Sequence, residues 1–261
     1  MTTKDMLDVS LRGGTAFALS NAVWYSVAAG CTWLVFYVLF RKLFRGRRIA
    51  EGKTPASQVG REIYHSLRSL AIFGIVAGGV VYLVLSGWTR MYWPIEDYGW
   101  GWFVASIALV IVLHDAYFYW THRMMHHRAF YRLFHSTHHL STSPTPWAAY
   151  AFSPWEALVQ AGIVPLVILV MPVHPLAISI FMAWQIGFNV LGHCGYEIYP
   201  QWFLRSPAGV FLNSPTHHSL HHEKYRANFG LYFNIWDRLM GTNHPDYTAR
   251  FERVTGGALP K

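Results

Sequence analysis

His114–His139 reads HDAYFYWTHRMMHHRAFYRLFHSTHH, seven histidines in 26 residues, and the stretch begins inside the apolar run Trp100–Trp120. A neutral imidazole is costly in apolar surroundings unless its nitrogens are engaged. One segment therefore raises two questions: whether the run crosses a membrane, and what gathers the rings at its end.

Composition answers the first. The 261 residues are 53% hydrophobic and only 13% charged, too oily for an ordinary soluble domain. Ala22–Phe40, Leu67–Gly87 and Trp100–Trp120 each approach the roughly 20 residues that a transmembrane helix needs. Two shorter runs, Ala157–Met171 and Leu176–Leu191, flank PVHP, where Pro172 and Pro175 each deny a helical hydrogen bond and mark a tight turn. The expectation is an all-α integral membrane protein with about five transmembrane helices, the last two a hairpin, and a cytoplasmic helical cap. Residues 1–261 form a single membrane domain, without a cleaved leader at Met1–Gly14.

Basic residues give the orientation. Lys42, Arg45, Arg47, Arg48, Lys53, Arg61 and Arg68 lie between or just inside the first two spans, whereas the next loop has Arg90 beside Glu96 and Asp97. This arrangement predicts an external N-terminus and places the histidine-rich segments on the cytoplasmic face. The bacterial inner membrane and the endoplasmic reticulum both fit. The net charge of +8 follows from this excess together with attraction to anionic lipid heads, and no basic tract suggests nucleic acid. Trp88, Trp93, Trp100 and Trp102 suit an interfacial belt. Cys31 and Cys194 are too few for a thiolate cage and too differently placed for a disulfide.

The second question turns on spacing. On a helix His122 and His126 lie about 40° apart, with Asp115 about 20° to the other side of His122, so one stripe offers two imidazoles and a carboxylate able to orient a ring or a water. HSTHH places His135, His138 and His139 together; HCGYE sets His193 four residues before Glu197; HHSLHH supplies His217, His218, His221 and His222. More than four ligands exceed one tetrahedral site and point to two metals. Imidazole alone leaves zinc, copper, iron and nickel open. His127 and His217 point about 100° from their neighbours, toward outer-shell or surface roles. His114, about 80° around from His122, either reaches the site or bonds a neighbouring helix. His65, His174 and His244 are expected to be non-ligands. Gly74, Gly78 and Gly79 either thin the second span or pack it closely against another. A membrane zinc-binding or metal-transport protein is the alternative, although transport favours ionisable groups in mid-membrane and these clusters gather at one face.

HRMMH, HSTHH and HHSLHH, followed by NFGLYFNIWDRLMGT, resemble the histidine boxes and closing signature of the fatty acid hydroxylase/sterol desaturase superfamily over about residues 114–242. SPTPWAAYAFSPWEA after the second box resembles the C-5 sterol desaturase branch. This resemblance implies a membrane-bound, non-haem di-iron oxygenase that attacks an unactivated C–H bond of a lipid, hydroxylating or desaturating it, with dioxygen as co-substrate. Electrons would come from a separate donor, a ferredoxin or a b-type cytochrome with its reductase. By motif position, His122, His126, His135, His138, His139, His218, His221 and His222 match the box ligands, and His193 matches the histidine after the hairpin. Some members carry a further histidine where this chain has Glu197.

Overall fold

The structure, a computed structural model, describes residues 1–50 and 54–256; Lys53 of the basic loop lies outside them. The described residues form eleven α-helices in order: α1 Thr3–Trp33, α2 Ala56–Leu85, α3 Gly99–Met125, α4 Tyr131–Phe134, α5 Pro154–Ala161, α6 Ile163–Val170, α7 Pro175–Gly192, α8 Pro207–Phe211, α9 Pro215–Lys224, α10 Ile235–Leu239 and α11 Tyr247–Gly256. Among the described residues extended pairing is confined to isolated bridges.

Among the described residues four helices are long and apolar enough to cross a membrane: α1 with its π-helical continuation to Leu39, α2, α3 and α7. The first starts well before the oily run that marks it in sequence. Thr2 accepts from the Asp5 amide while the Asp5 carboxylate accepts from the Thr2 amide, a capping box that nucleates the helix some twenty residues early. At 1.5 Å per residue it reaches roughly 55 Å, well beyond a hydrocarbon core of about 30 Å.

The fifth expected span is shorter and broken. Pro154–Val170 covers about 25 Å, and Gly162 divides it into α5 and α6. Pro165 has no N–H for the Ala161 carbonyl, and the Tyr117 hydroxyl donates to the Val159 carbonyl at 2.6 Å, an acceptor that an unbroken helix gives to residue 163. A Cβ at Gly162 would sit 2.9 Å from that same hydroxyl. Ile163, Val167 and Ile168 of the segment share one apolar core cluster with Ala177 and Phe181 of α7.

Close backbone approach joins α1 to α2. A Cβ on Gly14 would meet the Gly74 carbonyl and lie 3.0 Å from the Gly78 nitrogen, and one on Gly74 would lie 2.7 Å from Ala18. Small residues replace hydrophobic drive as the basis of association between membrane helices. Gly74 and Gly78 thus serve packing, while Gly79 faces open space. Toward the histidine end, Tyr25, Ala29, Leu70, Phe73, Tyr150 and Phe152 form one core cluster, and the Tyr25 and Ser66 hydroxyls both donate to the Trp147 carbonyl, at 2.6 and 2.9 Å.

At the opposite end, the α2–α3 loop closes onto the hairpin turn. The Arg90 amide donates to Ile168 O at 2.7 Å, Trp102 Nε1 to Pro172 O at 3.0 Å, and His174 Nε2 to Trp93 O at 2.7 Å. Trp88, Trp93 and Trp100 there are exposed. Cys31 is exposed and Cys194 buried, and both are free thiols. The C-terminal ends of α3 and α7 meet α4, α5 and α9 at the other end, where the histidines collect.

Candidate metal centre

Each ring is delivered by an identifiable local device. His122 lies in the last turn of α3 and His126 caps it; His135 follows α4, and His138 and His139 open a 3₁₀ turn; His193 caps α7. Helix α9 begins with Ser214 as cap and Pro215 at its first position. The Glu197 carboxylate accepts from the Thr216 amide at 3.0 Å and its hydroxyl at 2.6 Å, placing negative charge at the helix N-terminus. Tyr225 ends α9 in the left-handed region, at φ 66°, a costly conformation for a bulky residue.

The rings divide into two clusters: His122, His126, His135, His139 and His221 in one, His138, His193, His218 and His222 in the other. This partition cuts across the sequence motifs. HSTHH sends His135 and His139 to the first cluster and His138 to the second; α9 turns His221 to the first and His218 and His222, one turn apart, to the second.

Proton placement reveals what the clusters are suited to hold. The Nδ1 atoms of His122, His221 and His193 face the carbonyls of Phe229 (2.8 Å), Ala227 (2.7 Å) and Asn189 (2.7 Å), and His135 Nδ1 faces a Glu156 carboxylate oxygen at 2.7 Å. Carbonyls only accept, so the Nδ1 atoms of His122, His221 and His193 carry the proton and their Nε2 atoms are bare lone pairs; His135 follows suit when Glu156 is ionised, the form that a neighbouring cation favours against the burial that pushes this carboxyl well above its ordinary range. Yet His122 Nε2 lies 2.9 Å from His135 Nε2, an arrangement that then has no proton to bridge it. His193 Nε2 has three neighbours, the Nε2 atoms of His218 at 2.9 Å and of His138 and His222 at 3.3 Å. A cation shared by the converging lone pairs resolves both conflicts. Two imidazole nitrogens about 2.1 Å from one ion, at right angles, lie about 3.0 Å apart.

Burial keeps the rings in the ligating form. Desolvation holds His139 down to about 3 and His193 to about 4, and carries His138, His218, His221 and His222 well below the ordinary histidine range, with mutual repulsion adding to the effect. Neutral imidazole is the metal-binding state. Phe229 packs against His122, His126 and His221, Phe152 against His138, and Tyr225 against His139 with ring centres 4.7 Å apart. His126 is the only partly exposed ring among the nine.

The remaining sequence-marked residues lie outside both clusters. Asp115 accepts from the amides of Tyr232 (3.0 Å) and Phe233 (3.1 Å), so it anchors that loop and orients no clustered ring. His114 meets the Tyr232 hydroxyl at 2.9 Å, the neighbouring-element option. His127 is exposed, its Nδ1 accepting from the Ala129 amide. Glu197 holds α9. His217 is fully buried, with Nε2 3.2 Å from Asn243 Oδ1 and 3.5 Å from Asp237. His174 caps α7, accepting from the Leu176 amide.

Of two further carboxylates near the rings, the sequence passes over Glu156 and marks Asp237 only as a structural residue, paired with Arg238 or with another residue of the cap. Glu156 looks like the third residue of an ordinary helix start, because Ser153 accepts from its amide at 3.1 Å. Its side chain turns inward to His135, twenty-one residues away. Asp237 accepts from the amides of Phe229 (2.9 Å) and Gly230 (2.7 Å) and from the Thr242 hydroxyl (2.7 Å), fixing the loop whose carbonyls orient His122 and His221. It forms no ion pair with Arg238.

Residues 107–242 match the family described as fatty acid hydroxylase. The Delta(7)-sterol 5(6)-desaturase ERG3B of Gibberella zeae is 31% identical over 220 residues, covering 84% of this chain and 64% of that protein. Lathosterol oxidase of Rattus norvegicus is 32% identical over 195 residues, 72% of this chain and 62% of its own length. A cholesterol 25-hydroxylase-like protein of Danio rerio is 33% identical over 144 residues, 54% of this chain and 56% of that one. The chain thus spans a little under two thirds of the length of the first relatives it matches. No solved structure matches it.

Proposed function

This chain belongs to the fatty acid hydroxylase family, and on that premise we propose that it is a membrane-bound non-haem di-iron oxygenase. Its substrate is a bilayer lipid of the sterol or fatty acyl class, hydroxylated or desaturated at an unactivated C–H position with dioxygen and electrons from a separate ferredoxin or b-type cytochrome. The observation that carries the proposal is the convergence of nine imidazoles in two clusters, with lone pairs facing lone pairs at 2.9 Å. The names of its relatives support a sterol substrate, and they include both desaturase and hydroxylase.

His122, His126, His135, His139 and His221 would hold one ion and His138, His193, His218 and His222 the other. Five rings exceed what tetrahedral zinc takes and suit an ion that accepts higher coordination. Iron, when bound, supplies dioxygen activation and the oxidising power for C–H cleavage. The chain does the rest: the carbonyls of residues 189, 227 and 229 and the Glu156 carboxylate hold protons on Nδ1, and Phe118, Phe152 and Phe229 keep water off the rings. The apolar flanks of the spans let a lipid approach laterally from the bilayer. The excess of Lys and Arg between α1 and α2 supports a cytoplasmic active site, in a bacterial inner membrane or the endoplasmic reticulum.

Lipid mass spectrometry of host membranes, with the wild-type chain or with His221→Ala, tests this reading. A lipid that gains one oxygen or loses two hydrogens only with the wild type is expected. Identical lipid profiles in the presence of oxygen and a competent donor would overturn it.

A further inference from the structure

The two clusters are built unequally. In the five-ring cluster three Nδ1 atoms have protein acceptors: Phe229 O for His122, Ala227 O for His221 and Glu156 for His135. In the four-ring cluster only His193 has one, Asn189 O, while the Nδ1 atoms of His138, His218 and His222 are buried without a partner. Such outer partners fix tautomer and ring orientation and raise ligand basicity.

Charge separates the clusters further. Among the described residues Glu156 is the one carboxylate in contact with a clustered ring, and both side chains of the pair are 1% exposed. The nine imidazoles are neutral ligands, so ions held by them would bring buried positive charge that only nearby anions offset. Glu156 meets His135 Nδ1 at 2.7 Å beside the five-ring cluster alone; burial pushes its carboxyl up, and a cation held by the rings would draw it back to the ionised form, which accepts from Nδ1–H and pushes electron density toward Nε2. The carboxylate is held from its own backbone, with the Glu156 amide on Ser153 Oγ and Ser153 in turn donating to Phe134 O at 2.6 Å, next to His135.

We propose that the two clusters hold their ions with unequal tenacity, and that Glu156 is the positioning residue that makes the five-ring site the tighter one; the proposal rests on the metal-binding reading above. The four-ring ion exchanges first, and the five-ring ion follows more slowly for as long as the His135–Glu156 pair holds.

The test is chelator-driven release of iron-57 from the full ferrous-loaded chain in detergent, followed beside Mössbauer spectra. Wild type should release iron in two resolved phases of equal amplitude. His218→Ala should lose the fast phase and keep the slow one. Glu156→Gln, which keeps the shape and removes the charge, should speed the slow phase roughly 10- to 100-fold and alter one of two quadrupole doublets. Glu62→Gln removes a buried carboxylate that bonds Gln58 and Thr145 and touches no histidine, and should leave both phases unchanged. A single wild-type phase, loss of the slow phase in His218→Ala, a change in release with Glu62→Gln equal to that with Glu156→Gln, or a Glu156→Gln variant with its slow phase intact or both phases quickened alike would overturn the inference. Failure of the metal reading itself is distinct, because a wild-type chain that takes up no iron has no phases to compare.

Discussion

His126 Nε2 and His221 Nε2 lie 3.0 Å apart although 95 residues separate them in sequence, and His139 Nε2 sits 3.1 Å from each. Three separate histidine motifs therefore meet at one point. His221→Ala should remove the ion of that cluster, lowering iron from about two to about one per chain, and should abolish lipid oxidation while insertion persists. His174→Ala should keep full iron. It should lose the cap on α7 and the bond to Trp93 O, together worth about 1–3 kcal/mol of stability. Iron per folded chain, measured for both variants in parallel, checks the contrast.

Asp237 acts on the rings through the backbone. Asp237→Ala leaves the buried Phe229 and Gly230 amides without acceptors, at a cost of roughly 1–3 kcal/mol each, and frees the loop that orients His122 and His221. Its thermal midpoint and its iron affinity should fall together, and Asp237→Asn should recover part of each. Melting with and without iron, with chelator competition, measures both.

The α1–α2 contact gives a steric pair. Gly14→Val must push apart two backbones already in contact and should cost about 1–3 kcal/mol or more. Gly79→Ala, with open space around its Cβ, should be neutral or slightly stabilising. Folded yield and midpoint in detergent distinguish them, and equal effects would contradict the packing described.

The metal-free chain should be acid-sensitive in a defined window. His139 and His193 titrate near 3 and 4 when folded and near 6.5 when unfolded, so below pH 6.5 the unfolded chain binds more protons. Their contribution to stability is complete above about 6.5 and falls as pH drops toward 4, by up to about 1.4 kcal/mol per pH unit for each ring. Denaturation of the metal-free chain at pH 7, 6, 5 and 4 should show progressive loss, and a flat profile would contradict neutral burial of these rings.

The helical membrane architecture and the nine clustered rings were legible in the sequence because their signals are local: apolar runs, and histidines at helical spacing. His193, a lone histidine after the hairpin, had a weaker local signal, Glu197 four residues on, and the resemblance to the family singled it out as a ligand. The partition into clusters was not legible, since it depends on how α9 is rotated against α3 and the His138 turn. Glu156 was hidden because its partner is twenty-one residues away and its local context reads as a helix cap. Asp115 shows the converse error. Its spacing from His122 is right for a shared face, but the 232–233 backbone, more than a hundred residues later, claims the carboxylate first. The α5–α6 break needs both Pro165, visible in sequence, and the Tyr117 hydroxyl, which only tertiary packing brings to Val159.

The most direct test of the two-cluster centre is anaerobic ferrous titration of the metal-free, folded chain, counting bound iron at saturation. The account predicts two ions per chain for the wild type and one each for His221→Ala and His218→Ala. Saturation at a single ion, or an unchanged count in both variants, would contradict it.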